Sequence, residues 1–438
     1  MKNAQFDVVN LGALISDISS GATPKVDEDY YTDSSGIPFL RVQNVVDEGI
    51  DLSDAKFITR EVHNGMLKRS QLKKDDLVFT ITGRIGSVAV VPDNFEGNIN
   101  QHSVRFQLKT HVANNAINPR YVAVFLNLSL GQSLAIREVT GGTRPALDYK
   151  ALYSLRIILP PTNIQNHIVS IMRSAYRQKK QKEQEANTLL DSIDDYMPKA
   201  LGIERPQEKE NSIENRVFTA MLSEVSGRRF DPEMYYQVYS LHTKLYPMEK
   251  FQNCVLINPP LSFHGYELDT SITFVPMEKV SAEYGEADLS LCKTIAGAKG
   301  YTRFRNNDLI WAKITPCMEN GKSAVVDNLN EGIGCGSTEF HVFRALEKIN
   351  IHYIHALLRL KSLREHAVLH FTGSAGQQRV SSEFFKELII PKPPIEKQTE
   401  IAEYIANARN RAKQLQQEAG TVVEQAKERV ERMLLAEA

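Results

Sequence analysis

The sequence predicts an α+β chain: two related α/β modules, separated by two long antiparallel coiled-coil helices and related by an approximate two-fold axis. Three observations carry this expectation. They are a tandem repeat at a nearly constant offset, a strand-rich and then helical succession inside each copy, and a heptad run after each copy.

The repeat is read directly. Residues 72–91 run LKKDDLVFTITGRIGSVAVV, and residues 304–326 run FRNNDLIWAKITPCMENGKSAVV. Asp76-Leu77 and Asp308-Leu309 stand 232 positions apart, each followed by an apolar run, a turn and an AVV segment. Thr140-Gly141 opens TGGTRPALDYKALYSLRIILPP, and Thr372-Gly373 opens TGSAGQQRVSSEFFKELIIPKPP, again 232 apart. The offset drifts to 233 at Pro160-Pro161 against Pro393-Pro394, and Gln165 and Ile168 match Gln398 and Ile401 at that value. GIPFLRVQNV near Phe39 pairs more loosely with ITFVPMEKV near Phe274. Order and spacing persist over most of each half, so the chain is a duplication.

Within a copy, short Val/Ile/Phe runs such as DLVFTITG, SVAVVPD and HSVRFQLK are broken by Gly, Asp and Asn, which reads as strands and turns. A helical stretch follows, NPRYVAVFLNLSLGQSLAIREV in the first half and NIHYIHALLRLKSLREHAVLH in the second. A glycine-containing loop, a last strand and a proline pair close each module.

A long polar helix then begins. In the second copy, Ile401, Ile405, Ala408, Ala412, Leu415, Ala419, Val422, Ala426, Val430 and Met433 trace a heptad seam. In the first, Ile168, Met172, Ala175, Lys179, Lys182, Ala186, Leu189, Ile193, Tyr196 and Ala200 do the same, with two lysines interrupting it. Such helices span about 50 to 60 Å. The first carries the chain from one module to the next. The second has no later module to reach, so seam-to-seam packing sends it back antiparallel. The expected divisions are residues 1–161 and 216–394 for the modules, 162–203 and 395–438 for the helices, and a charged linker at 204–215.

Bulk properties bound function only loosely. A chain of 438 residues is too long for one ordinary core. Hydrophobic content of 42% and a mean hydropathy of -0.31 describe a soluble protein. Cys254, Cys292, Cys317 and Cys335 form no CxxC pair, which suits reduced thiols better than a disulfide framework or a zinc site. The N-terminus carries acids too early for a secretory segment and nothing approaches a membrane span, so a cytoplasmic protein is expected. A net charge of -1 means that any nucleic-acid surface must be a local basic face.

Taken in order, GIPFLRVQNV, the 72–92 run with NINQH after it, TGGTRPALDYKALYSLRIILPP with a helix opening at Gln165, and the second-half echoes resemble the specificity (S) subunit of type I restriction-modification systems. RRFDPEMYY at 228–236 is similar to the opening of a target recognition domain in that family. The resemblance covers nearly the whole chain. It implies two α/β target recognition domains, each reading one half of a split double-stranded DNA site. It also implies two adenine methyltransferase (M) subunits docked on the helices and restriction/translocase (R) subunits joined for cleavage. S-adenosylmethionine, ATP and Mg would then belong to those partners, with no cofactor on this chain. Two readers about a two-fold axis suit half-sites at fixed separation, with the helices as a ruler. The halves differ where GSAGQQR stands for GGTRPAL and CGSTEF for INQHSV.

Apparent enzyme motifs fail on chemistry. Asn258-Pro259-Pro260-Leu261 lacks the aromatic that stacks on a flipped base, and no FxGxG cofactor loop precedes it. Gly321-Lys322-Ser323 resembles a phosphate-loop tail, but Pro316 stands at the required first glycine and cannot donate an N–H. Pro92-Asp93 has no (D/E)xK in the next thirty or so residues, and His352 with His355 has no further ligand nearby. No catalytic or metal site is therefore expected.

For DNA contact the candidates are donor-rich loop residues: Arg41, Gln43, Asn44, Arg84, Asn100, Gln101, His102, Thr143 and Arg144 in the first module. Lys313, Lys322, Gln377, Gln378 and Arg379 are their counterparts in the second. Arg can pair bidentately with guanine and Asn or Gln with adenine, while the same residues can equally serve turns. Arg173, Arg177, Lys179, Lys180 and Lys182 read as a solvated helix face that could also meet the DNA spacer or a partner. A duplicated adaptor that binds protein partners is the alternative from another class, and a fused methyltransferase is disfavoured by the missing cofactor loop.

Overall fold

The computed structural model describes residues 4–25, 29–112, 115–140, 145–203, 212–213, 217, 219, 221–225, 241–374 and 377–435. The chain divides into two units, Met1–Glu183 with Gln416–Ala438, and Gln184–Leu415. The last stretch of the chain thus packs with the first module.

The first unit is built on an antiparallel sheet in the order Ile15–Ser20, Ser103–Leu108, Leu77–Thr80, Val88–Val90. Leu77 and Phe79 face the main core, and Val78 faces a smaller cluster with Leu40 and Val91. Burial on both faces is why DLVFT reads as a continuous apolar run rather than an alternation. A second sheet runs Asn98–Ile99, Ile37–Leu40, Lys56–Ile58, Tyr31–Thr32, its first pair parallel. The second unit repeats this plan. Val255–Ile257, Phe340–Ala345, Asp308–Ala312 and Ser323–Val326 form the antiparallel sheet. Cys292–Thr294, Ser271–Val275, Ile333–Gly336 and Thr302–Arg305 form the other, with Ser271–Val275 parallel to Ile333–Gly336.

The repeated residues have repeated jobs. Asp76 and Asp308 are fully buried; their carboxylates accept the Lys73 and Arg305 N–H groups at 3.0 and 2.9 Å and close the turn into the central strand. Arg344 adds a two-pronged pair to Asp308 at 2.7 and 2.8 Å. Desolvation raises the Asp76 carboxyl above its usual range, against the Lys73 N–H, Gln107 and Arg105. Helices Pro119–Asn127 and Ile351–Arg359 are capped by Asn118 and Asn350, whose side chains accept from Arg120 N and from His352 N and Tyr353 N. The Tyr121 and Tyr353 hydroxyls donate to the Ile158 and Pro391 carbonyls of the module's last strand.

The long helices are Thr162–Leu201 and Ile395–Leu435. Inside each unit they run antiparallel. In the first, Lys182 meets Glu418 while Ile168, Met172 and Ala175 share a core with Val423, Ala426, Val430 and Leu434. In the second, Ala186 packs with Ala412 and Leu415, and Tyr196 stacks on Tyr404 at 3.7 Å. The seam departs from strict heptads: Met197, Leu201, Val423 and Leu434 are buried, while Tyr196, Ala200, Val422 and Met433 are only partly so. A straight α-helix drifts against a 3.5-residue repeat, so the buried position slips by one after several turns. No helix among the described residues is long and apolar enough to cross a membrane.

Each long helix is fastened by a buried glutamine in its first turn. Gln165 accepts Asn118 N at 2.9 Å and donates to the Pro160 and Ala116 carbonyls. Gln398 accepts Asn350 N at 2.9 Å and donates to Pro393 and Lys348. Replacing Gln398 with Leu keeps the volume and strands these groups without partners. The expected cost is about 2 kcal/mol or more, read as a lower urea midpoint at unchanged slope.

Candidate nucleic-acid interface

The parallel strand pair places the candidate loops. In the first unit Ile37–Leu40 and Asn98–Ile99 end side by side, and Asn100 N donates to Leu40 O at 3.1 Å. The chain leaves them as Arg41–Asn44 and Asn100–His102. Ile81 N donates to His102 O, and Leu147 N to Ile81 O, both at 2.9 Å, so the 81–86 turn and the Ala146-Leu147 segment join the same edge. In the second unit Ser337 N donates to Val275 O, Lys313 N to Glu339 O, and Val380 N to Lys313 O. The isolated bridges Thr82↔Ala146 and Ile314↔Arg379 match as well. One stitched face of three segments therefore recurs in each unit.

On the first face, Arg41 and Gln43 converge on one carboxylate. Arg41 Nη2 lies 3.0 Å and Gln43 Nε2 2.8 Å from Asp54 Oδ2. The Gln43 hydrogen bond and then the Arg41 charge hold the exposed Asp54 below its ordinary range. Gln101 and His102 are exposed; His102 Nδ1 lies 2.5 Å from Thr82 Oγ1, and Gln101 accepts a bond from Thr23. Arg84 is exposed in its turn, 3.9 Å from Asp47. Asn44 and Asn100 face inward: Asn44 ties Arg41 N to Asp51 O, and Asn100 Oδ1 accepts His102 N. Their side chains support the loops. Thr143 and Arg144, like the RRFDPEMYY segment, lie outside the described residues.

On the second face, Arg379 pairs with Glu339 through Nε and Nη2, both at 2.9 Å, and gives Nη1 to Gln377 O at 2.7 Å. The Arg379 hydrogen bonds to the carboxylate, and then the Arg379 charge, hold Glu339 below its ordinary range, aided by Lys313. Gln377 is exposed and Gln378 half-buried, its carbonyl accepting Thr315 N. Lys322 is half-buried with Nζ 2.9 Å from Met277 O, so this lysine braces the neighbouring loop.

The discounted motifs are structural. Asn258, at φ 50°, donates its backbone N–H to Val342 O and accepts Val342 N on its side-chain Oδ1, and its side chain lies 3.0 Å from His341 Nδ1. Gly321 sits in a turn at φ 77°, with its carbonyl held by Arg359. His355 is buried against Ser323 Oγ at 3.1 Å.

What the residue search missed is the set of acids. Asp47 takes Lys427 at 2.9 Å, and Glu48 takes Lys179, so the 45–50 hairpin of the first module grips both long helices. In the second unit Glu286 and Tyr284 hold the corresponding turn against Lys413 and the Ala412–Leu415 seam. Lys179 and Lys182 thus turn inward, while Arg173, Arg177 and Lys180 stay exposed. A scan for hydrogen-bond donors ignores carboxylates, and their partners lie far off in sequence.

His341 lies under the second face. Its Nε2 is 2.9 Å from Val380 O, and burial pushes its pKa down to about 4, with Lys313 lowering and Glu339 raising it. The unfolded chain binds this proton near pH 6.5, so the stability from a neutral His341 is complete above that pH and lost as pH falls toward 4. The ceiling is ~3 kcal/mol. Thermal midpoints should fall between pH 7 and 5 in the wild type, and His341→Gln should reduce that dependence, leaving the part owed to His352, His355 and His366, which burial also holds below the usual range.

The model of the type I restriction modification DNA specificity domain (Methylase_S) matches residues 4–190 and 269–425. The EcoAI type I restriction enzyme specificity subunit of Escherichia coli is 37% identical over 181 residues, covering 41% of this chain and 30% of that one. The EcoEI specificity subunit of Escherichia coli is 37% identical over 182 residues with the same coverage. The match thus spans about 30% of the length of these relatives. A chain solved to explain complex assembly and conformational transition of the type I R-M system aligns over 98% of this chain and 96% of its own. Its TM-score is 0.55 at 12% identity, a likeness of fold.

Proposed function

Because this chain belongs to the type I restriction modification DNA specificity family, we propose that it selects a bipartite DNA target, one half-site per unit, for methyltransferase and restriction/translocase subunits. The observation that carries the reading is the recurrence of one loop face in both units, at the ends of equivalent parallel strands, with different side chains on it. Equivalent scaffolds with unlike faces suit two half-sites of unlike sequence. The chain acts without catalysis of its own. S-adenosylmethionine, ATP and Mg serve the partners, and the complex works in the cytoplasm.

Residues 1–161 and 216–394 are the readers in this account, and the long helices set the distance between half-sites. Arg41, Gln43, Arg84, Gln101 and His102 are the contact residues of the first face, and Lys313, Gln377, Gln378 and Arg379 those of the second. Since Arg41, Arg84 and Arg379 already have acidic neighbours, their place is at base edges more than at phosphates.

Two measurements test this. Co-expression with cognate methyltransferase subunits should add adenine methylation at a split motif, and a methylome without a new motif would overturn the reading. Exchange of residues 1–160 for another module should rewrite one half of the motif and leave the other half unchanged. A protein adaptor would produce neither result, and its partner binding would not weaken steeply with salt as DNA binding does.

A further inference from the structure

We propose that Arg379, held in place by Glu339, reads a guanine in the half-site taken by the second unit. The inference rests on the DNA-reading function proposed above and names one element of its code.

Three of the five guanidinium N–H donors of Arg379 are committed: Nε and Nη2 to the Glu339 carboxylate, and Nη1 to Gln377 O. One hydrogen on each terminal nitrogen remains. That pair matches the two acceptors, O6 and N7, that guanine shows in the major groove, whereas adenine offers one acceptor beside a donor. The Arg379 side chain keeps 39% of its surface exposed against 23% for Glu339, so the arginine is the outer member. A two-pronged carboxylate fixes the plane of the fork and removes rotamer freedom that binding would otherwise have to quench.

The same carboxylate argues against a phosphate as the target. An anionic oxygen brought to Arg379 would meet Glu339 behind it, while a neutral base edge meets no such repulsion.

The internal duplication adds an independent observation. His102 occupies the place of Glu339, since each gives its carbonyl to the equivalent strand N–H of Ile81 or Lys313. Ala146 occupies the place of Arg379 in the equivalent bridge. At these two places the second unit carries the acid and the arginine together, and the first carries His102 and Ala146. A pair needed only to close the loop would be needed in both units.

The test uses the chain assembled with its methyltransferase subunits. In wild type, the second half-site should contain an invariant G·C pair. Arg379→Lys keeps the charge and loses the fork, and should relax that position by about 10- to 100-fold in methylome frequencies, with the first half-site unchanged. Glu339→Gln should relax the same position less. Independently of any variant, wild-type binding should weaken when 7-deazaguanine, which lacks N7, replaces that guanine. An unchanged motif in Arg379→Lys, or, in Arg379→Ala, a uniform loss at all bases with a salt slope lower by about one, would overturn the proposal and leave the specificity function standing. No split motif in wild type would overturn both.

Discussion

Where a long helix leaves its module, backbone groups of three segments are shut away from water together, and a single glutamine side chain must satisfy them. Gln165 and Gln398 do this with the same geometry: the amide oxygen takes the N–H of the N-cap asparagine, and the amide nitrogen spans two carbonyls, one from the proline-pair stop and one from the preceding loop. Both are almost fully buried, so each lost bond would cost its full desolvation. The direction in which the helix departs is set there. That junction is one of the two points that place a loop face relative to its helices.

A second contact ties each module to its helices at another point. The acidic hairpin at 45–50 reaches the helices through Glu48–Lys179 and Asp47–Lys427, and the 281–286 turn does so through Glu286–Lys413 and the Tyr284 ring. Individually, half-exposed ion pairs contribute little. Their effect is geometric: with the glutamine junction at one point and the acidic turn at another, a module cannot pivot about its helix. Gly285 lets the second turn come this close, at φ 69° with the His355 and Arg359 side chains against it. Arg359 also holds the Ala282 and Glu283 carbonyls, at 2.8 and 2.9 Å, so the turn is pinned from both sides.

The fold was legible because its markers are local and repeated. Asp76 and Asp308, the proline pairs and the glutamines after them each serve a junction that both copies must make, and the antiparallel course of the helices followed from chain order. The seam was legible in outline, but its one-residue slips at Met197, Val423 and Leu434 depend on helix drift over many turns. Lys179 and Lys182 interrupted the seam for a reason the pattern could not supply, since their acids are 131 and 236 residues away in the chain. The loop candidates divided along the same line. Residue type alone could not tell Gln101, which faces solvent, from Asn100 beside it, which is buried under the turn.

The two faces show how a duplicated scaffold comes to carry two unlike sets of side chains. Positions that close turns, cap helices or fasten junctions are kept between the halves because each is bound to backbone, and backbone geometry is common to both. Side chains on the face are bound to one another as well as to nearby carbonyls: Arg41 and Gln43 to Asp54, His102 to Thr82, Arg379 to Glu339. A change at one such position leaves its neighbour unpaired unless both change. Replacement should therefore go by clusters, and the contrast between His102 with Ala146 and Glu339 with Arg379 has that form. Since no cluster shares a partner with the glutamine junctions, a face can be rewritten without disturbing the path of the helices.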